Sequence, residues 1–409
     1  MLFYVPVEGV HKIGPLDIFF EAMSRFESRN DVFFDSSLGQ DRTMWLNRGR
    51  LGFDYRTSED TNIRVTYQYS NIQTKDKGTP PVAAAPAPQV GVFFFPTANY
   101  QARTRQDVPE AYLEHKSGDS TFRFGRQMVN RDWLVGSNNW GEVGRAWDGV
   151  SLKQGKWDMF AGRLDLDNPN IINNIGGAYL YFGGYDWGYG GKTSVYYKHD
   201  QFTGASEYTA GHTYHKMYGK AFVGVNGAFQ WGRRFGVDHE AWAADGHVGF
   251  MFSDRLHGMV GYTVASGGSG STDRNFDWLY PSDHGMLGDM DLVGLSNVSA
   301  MSAGLGFQVN DRIGVSAMYY NFKLFDKKSP WFSGTNNSMF FGGPIAGDGS
   351  GASGDNIGSE IDFNLHVMLP NNLRLTGGYS FFDPGSFVNN TMGGNSNQNW
   401  FYASLGWRY

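Results

Sequence analysis

Residues 399–409 read NWFYASLGWRY and alternate to the last position: Phe401, Ala403, Leu405, Trp407 and Tyr409 share one face, and Tyr402, Ser404, Gly406 and Arg408 share the other. Successive side chains of a strand point to opposite faces, so this segment has one apolar, aromatic-ended face and one polar face carrying a guanidinium. Such a strand suits a wall with hydrocarbon on one side and water on the other. Chain ends usually fray, so an aromatic at position 409 is expected to act as an anchor.

The same two-residue period recurs along the whole chain of 409 residues. Strands are expected near 16–27, 43–56, 62–74, 107–117, 120–130, 142–153, 157–167, 176–187, 191–201, 207–218, 220–233, 239–252, 256–267, 296–309, 312–325, 356–369, 373–383 and 399–409. That makes about 18 strands of roughly ten residues or slightly more, an even number that can close on itself. No run of about 18 apolar residues exists to make a spanning helix, so a membrane reading must be a β-barrel. A mean hydropathy of -0.41 with 16% aromatics and 56 glycines fits that class. Every second residue meets water, aromatics form girdles at the interfaces, and glycines fill turns and tight inward positions. A soluble sandwich would favour Val, Ile and Leu inside and would not need aromatics gathered at strand ends, as in Phe19-Phe20, Tyr196-Tyr197 and Phe381-Phe382.

The connections alternate in length. Ser58 to Thr61, Gly118-Asp119, Gln154 to Lys156, Ser253 to Arg255, Asn310-Asp311 and Pro370 to Asn372 are tight turns after even-numbered strands. Long segments 78–104, 268–295, 327–354 and 384–398 follow odd-numbered strands. Barrels of this kind keep short turns on the periplasmic side, which predicts both termini there, with 1–15 as a periplasmic segment before a single barrel domain in the bacterial outer membrane. Residues 1–12 lack a basic start and a long apolar core, so the chain reads as mature or truncated at its start.

Absence of cysteine excludes disulfides, thiolate metal sites and a cysteine nucleophile. The formal charge is -6, yet 20 of the 34 lysines and arginines fall within the first 165 residues. A charge on the lipid face would cost about 2–4 kcal/mol at mid-membrane, so charged parities are assigned inward. On 43–56 that places Arg48, Arg50, Asp54 and Arg56 in the lumen; on 62–74 it places Arg64 there, and on 157–167 Arg163, Asp165 and Asp167. Asp148 shares its parity with Val150 and Leu152, and a bulge near Gly149 is expected to turn it inward. Two outcomes compete for these arginines. Pairing with Asp54, Glu110, Glu114, Asp148 and Asp165 would merely stiffen the wall; unpaired, with Arg123 and Arg126, they would select anions.

Several stretches resemble the alginate export family of outer-membrane porins. They are Phe124-Gly125-Arg126-Gln127 followed by Trp140, Arg145 and Trp147 to Val150; Phe276 to Pro281 with His284, Gly288, Asp291 and Asn297; Ile357 to Asp362; and Gly377 to Ser380 with Pro384-Gly385. The resemblance covers roughly 105–409. It implies a monomeric 18-stranded barrel with an arginine-lined constriction that passes a polyanionic polysaccharide, with Arg126, Arg145 and Asp148 at matching positions and Glu360 and Asp362 as their partners. The expected partners are outer-membrane lipid and lipopolysaccharide, an anionic solute or polysaccharide, and periplasmic export proteins.

Other chemistry is weak. His212 and His215 fall on opposite strand faces, which argues against a metal. Asp283, Asp289 and Asp291 are weak calcium candidates in one loop. No nucleophile elbow, phosphate cradle or nucleic-acid patch stands out, so neither an enzyme nor a cofactor is expected. The alternatives to an anion conduit are a general porin narrowed by inward-folded loops 78–104 or 268–295, and a scaffold whose lumen holds a partner protein.

Overall fold

The computed structural model describes residues 11–31, 34, 36, 41–76, 103–141, 144–164, 177–201, 204–268, 270–282, 284–333 and 345–409. Among these, eighteen long strands form one closed antiparallel sheet. They are β1 (Leu16–Arg29), β2 (Arg42–Arg56), β3 (Thr61–Asp76), β4 (Arg103–Ser117), β5 (Ser120–Met128), β6 (Ala146–Gln154), β7 (Trp157–Leu164), β8 (Ala178–Asp186) and β9 (Gly191–Asp200). The second half supplies β10 (Ala205–Tyr218), β11 (Ala221–Arg234), β12 (Val237–Met251), β13 (Leu256–Ala265), β14 (Val298–Asn310), β15 (Ile313–Leu324), β16 (Asn356–Met368), β17 (Leu373–Pro384) and β18 (Gln398–Arg408). Each pairs with its chain neighbours, and β1 closes on β18 from Glu21 opposite Arg408 to Arg29 opposite Trp400. Phe20 and Tyr409 exchange backbone hydrogen bonds at 2.7 and 2.8 Å, so the last residue completes the ladder and leaves no open edge.

Membrane barrels wear their apolar face outside, and this one does. Leu51, Phe53, Tyr55, Ile63, Val65, Tyr67 and Tyr69 are exposed on β2 and β3, while Arg48, Arg50, Thr66, Gln68 and Ser70 between them are buried in the lumen. Leu405 sits on the outward face of β18, 44% exposed. Leu405→Arg is expected to destabilise the barrel by about 2–4 kcal/mol, because a guanidinium there meets hydrocarbon. Urea unfolding in lipid vesicles reads the change; stability equal to wild type would contradict the outward assignment.

The structure departs from the sequence-based expectations in places. β4 starts at Arg103 rather than 107, and its register with β3 slips between Thr66 and Gln68 opposite Glu110 and Asp107. Pro109 lies in that slip; it lacks an N–H for the ladder and is tolerated at a bulge. β6 starts at Ala146 rather than 142, and its pairing runs without a break past Gly149 on both sides. The expected bulge is therefore absent, and Asp148 stays on the outward parity. Segment 384–398 contains a short helix, α1 (Ser386–Met392), with Phe387 and Val388 buried. Of the long loops, 78–102 and 334–344 lie outside the described residues.

The largest departure is inside the barrel. The described residues of segments 129–145 and 266–297 fold into the lumen and form an apolar plug, in which Leu134, Val135, Phe276, Leu279, Tyr280, Met290, Leu292 and Leu295 are at most 1% exposed. Lumen-facing Trp147, Phe160, Leu164, Leu180 and Phe182 pack into the same cluster. Tyr280 meets Trp147 edge-on, with ring centroids 4.9 Å apart. β7 therefore inverts the expected polarity: Phe160 and Leu164 point inward onto the plug, and Arg163 points outward with Trp157 and Met159.

Candidate functional site

The site is the lumen where these two segments narrow it, and charged side chains of the wall hold both in place. On one side, β1 and β2 carry lumen-facing arginines that donate to loop backbone. Arg25 donates to the Trp140 carbonyl at 2.8 Å, pairs with Glu27 at 2.7 Å and stacks 3.8 Å over the Trp140 ring. Arg48 donates to the carbonyls of Asn139 (2.9 Å) and Gly141 (2.7 Å) and reaches Glu21 at 3.2 Å. Arg50 donates to Gln68 at 2.6 Å and to the Asn139 amide oxygen at 2.9 Å. Arg29 donates to the Met290 carbonyl at 2.8 Å, which ties the same strand pair to the second segment.

Arg145 joins the two segments to each other. Its guanidinium donates to the carbonyls of Gly136 (2.9 Å), Tyr280 (2.7 Å) and Pro281 (2.6 Å) and is only 8% exposed. Carbonyls buried without donors would each cost free energy, and five donors in a rigid fork satisfy several at once.

The opposite wall grips Asp277. Lys198 of β9 hydrogen-bonds its carboxylate, and Arg234 of β11 lies 3.2 Å from it. The backbone of Asp277 is bracketed by Gln230, which donates to its carbonyl at 2.6 Å and accepts from its N–H at 2.8 Å. Glu207 and His239 complete the buried cluster, 3.4 Å apart, and Asp273 pairs with Arg234 at 2.7 Å. Burial pushes the Asp277 carboxyl up, but the charges of Lys198 and Arg234 outweigh it and hold it well below the usual carboxylate range. Two residues on, Leu279 has a left-handed backbone (φ 52), a strained state that persists only where surrounding contacts fix it.

The third support is acidic. Glu360 on β16 accepts from the Met290 N–H at 2.8 Å, and Asp362 accepts from the Asp289 N–H at 3.2 Å. Gly288 lies directly against the Glu360 carboxylate with φ 87, so a Cβ has no room there. Gly288→Ala is expected to lift residues 288–290 from their seat at a cost of about 1–3 kcal/mol. Faster proteolysis of the 284–292 segment in the detergent-solubilised protein would show it; an unchanged digestion pattern would contradict the seat. Next to it, His284 pairs with Asp291 at 2.8 Å and stacks 3.7 Å from Trp140. Burial alone would lower the imidazole, but the charge of Asp291 and its hydrogen bond raise it.

Against this geometry the sequence-based site residues divide. Arg48 and Arg50 face the lumen as expected, but as loop anchors. Asp54 pairs with Arg64, whose guanidinium also lies 3.9 Å from Glu110. Arg123 pairs with Glu114 at 2.5 Å, so the wall-stiffening outcome holds for both arginines. Arg126 and Asp148 pair at 2.8 Å on the outward face, since Arg126 shares the parity of exposed Phe122 and Phe124. They are not lumen residues, and neither is Arg163, which stands opposite Asp148 on β7. The physical reason is the same for all three: the inward positions there are taken by Gln127, Trp147 and Leu164 facing the plug. Glu360 and Asp362 serve loop N–H groups instead of partnering Arg126 or Arg145. Asp165 and Asp283 lie outside the described residues. Asp289 and Asp291 are engaged by Asn364 (2.5 Å) and by His284, and the described residues contain no cluster of three or more His, Asp or Glu arranged to hold a metal.

Below the plug a cavity of about 960 Å³ opens along β11 to β17, from Asp132, His284 and Asp289 down to Asp254, Asp311 and Arg312 at the short turns.

The fold is shared with outer-membrane channels of known structure. OccAB2 of Acinetobacter baumannii matches with a TM-score of 0.64 at 11% identity, covering 97% of this chain and 98% of that one. OccK8 (OprE) of Pseudomonas aeruginosa gives the same values. OprD of Pseudomonas aeruginosa gives 0.59 at 12% identity over 97% and 93%. No curated protein matches the sequence. The model of the family described as alginate export matches residues 15–402. With an 18-strand closed barrel of porin architecture and a family match over nearly its whole length, the chain belongs to the alginate export family of outer-membrane β-barrel proteins.

Proposed function

We propose that the protein is a passive outer-membrane channel for small water-soluble solutes, narrowed by segments 129–145 and 266–297, and that it is not an enzyme. The observation that carries this is the threefold anchoring of both segments above a cavity that reaches the short turns. A plug buried and hydrogen-bonded on three walls leaves a passage sized for small solutes rather than a wide pore. The described part of the second expected constriction loop, 268–295, supports the same reading. Liposome swelling tests it: monosaccharide-sized solutes are expected to enter and longer oligosaccharides to be excluded, whereas equal rates across that series would sink it.

A second reading is supported by family membership and by the arginines of β1 and β2: passage of anionic sugars, alginate-like polymers included. It requires the segments to move aside and expose Arg25, Arg29, Arg48 and Arg50. Uronate oligomers blocking single-channel current in a length-dependent manner would favour it. Lipopolysaccharide around the barrel and periplasmic export partners belong to this second reading.

A further inference from the structure

The arginines that hold the plug and the cavity beneath it lie apart. Arg25, Arg29, Arg48, Arg50 and Arg145 are at most 8% exposed and have their guanidinium groups turned onto loop carbonyls and carboxylates. The cavity runs along the other side of the barrel. Its charged lining is Asp132, Asp245, Asp254, Asp289 and Asp311 against Arg312 and Arg374. No lysine or glutamate contributes to that lining. The positive charge that His284 can carry is matched by Asp291 behind it at 2.8 Å.

From this separation we infer that the open half of the lumen prefers cations, so that small cationic and amine-bearing solutes are the class it passes best. The inference rests on the channel reading above. The carboxylates are spread from the plug to the mouth, so a cation meets negative charge along the whole cavity rather than at one point. A low-dielectric wall makes each of these charges felt more strongly than in bulk water. Trp133, Trp278 and Tyr320 also line the cavity, and aromatic rings attract ammonium groups. Anions meet only Arg312 and Arg374 in that cavity, while Arg25, Arg29, Arg48, Arg50 and Arg145 are buried against the plug.

The test is the reversal potential of the full-length protein in a planar bilayer under a KCl gradient at neutral pH. A severalfold preference for K⁺ over Cl⁻ is expected. Asp254→Asn with Asp311→Asn, at the short turns and away from the loop anchors, is expected to bring the permeability ratio measurably toward one. Asp245→Asn, farther up the cavity, is expected to do the same. Chloride preference in the wild type, or a potassium preference that none of these substitutions alters, overturns the inference alone. Absence of ion conduction overturns the channel reading and the inference with it.

Discussion

Asp277→Asn is expected to raise single-channel conductance severalfold and to lower the temperature at which the barrel loses its compact form. The substitution keeps the size of the side chain but removes the charge between Lys198 and Arg234. Both cations stay in the lumen wall, with side chains 2% and 10% exposed. Removing one partner of a buried ion pair costs about 3–5 kcal/mol, because the remaining charge is left uncompensated. Glu207 and Asp273 lie close enough to take up part of that charge, 3.4 Å from Lys198 and 2.7 Å from Arg234, which sets the expected loss nearer the lower value. Residues 276–282 then lose the grip that holds Leu279 in its left-handed conformation. The segment is expected to loosen from the Lys198 and Arg234 side of the lumen, while Arg145 still holds its Tyr280 and Pro281 carbonyls and Glu360 holds Met290 beyond it. Planar-bilayer recordings and heat-modified gel mobility read the two effects. Conductance and thermal stability both at wild-type values would show that the Asp277 cluster does not position the plug.

The barrel was legible in the sequence because its signal is local. Alternation over ten residues and a two-residue turn such as Gly118-Asp119 need no distant partner to be read. Strand number and closure, and the outward face of β2 and β3, follow from parity alone. The candidate site was harder, because the rule that sent every charge inward assumes a water-filled lumen. Where the lumen holds a plug, inward positions become apolar and the rule reverses, as at Phe160 and Leu164. That rule places Arg126 and Arg163 inward and calls for a bulge at Gly149 to bring Asp148 in with them. The residues that position the plug, Arg25, Arg29, Lys198, Glu207, Gln230 and Arg234, did carry a signal. They are polar positions on the inward parity of otherwise ordinary strands, but their partners are backbone groups or side chains far away in sequence, up to 261 residues for Arg29 and Met290. The run Phe276 to Pro281 was visible as a motif. That it turns into the barrel depends on Asp277 meeting Lys198 and Arg234, which no period reveals.

Arg48→Ala and Arg48→Lys separate a selectivity charge from an anchor. As a selectivity charge, Arg48 would act through its net positive charge at the constriction, and lysine would preserve both conductance and ion preference. The geometry gives a different expectation. One guanidinium nitrogen serves the carbonyls of Asn139 and Gly141 at 2.9 and 2.7 Å while the other reaches Glu21 at 3.2 Å. An ammonium is a compact point charge on a flexible stem and does not reproduce a planar fork at a buried site. Arg48→Lys should therefore behave like Arg48→Ala in loosening 129–145, each leaving buried carbonyls short of donors at about 1–3 kcal/mol per group. Both variants are expected to show larger, noisier single-channel currents and earlier proteolysis near Trp140. Because Arg50 keeps its hold on Asn139, the double substitution of Arg48 and Arg50 by alanine should exceed either single one. Wild-type currents from Arg48→Lys beside altered ion preference in Arg48→Ala would make Arg48 a selectivity charge and return the arginine ladder to the solute path.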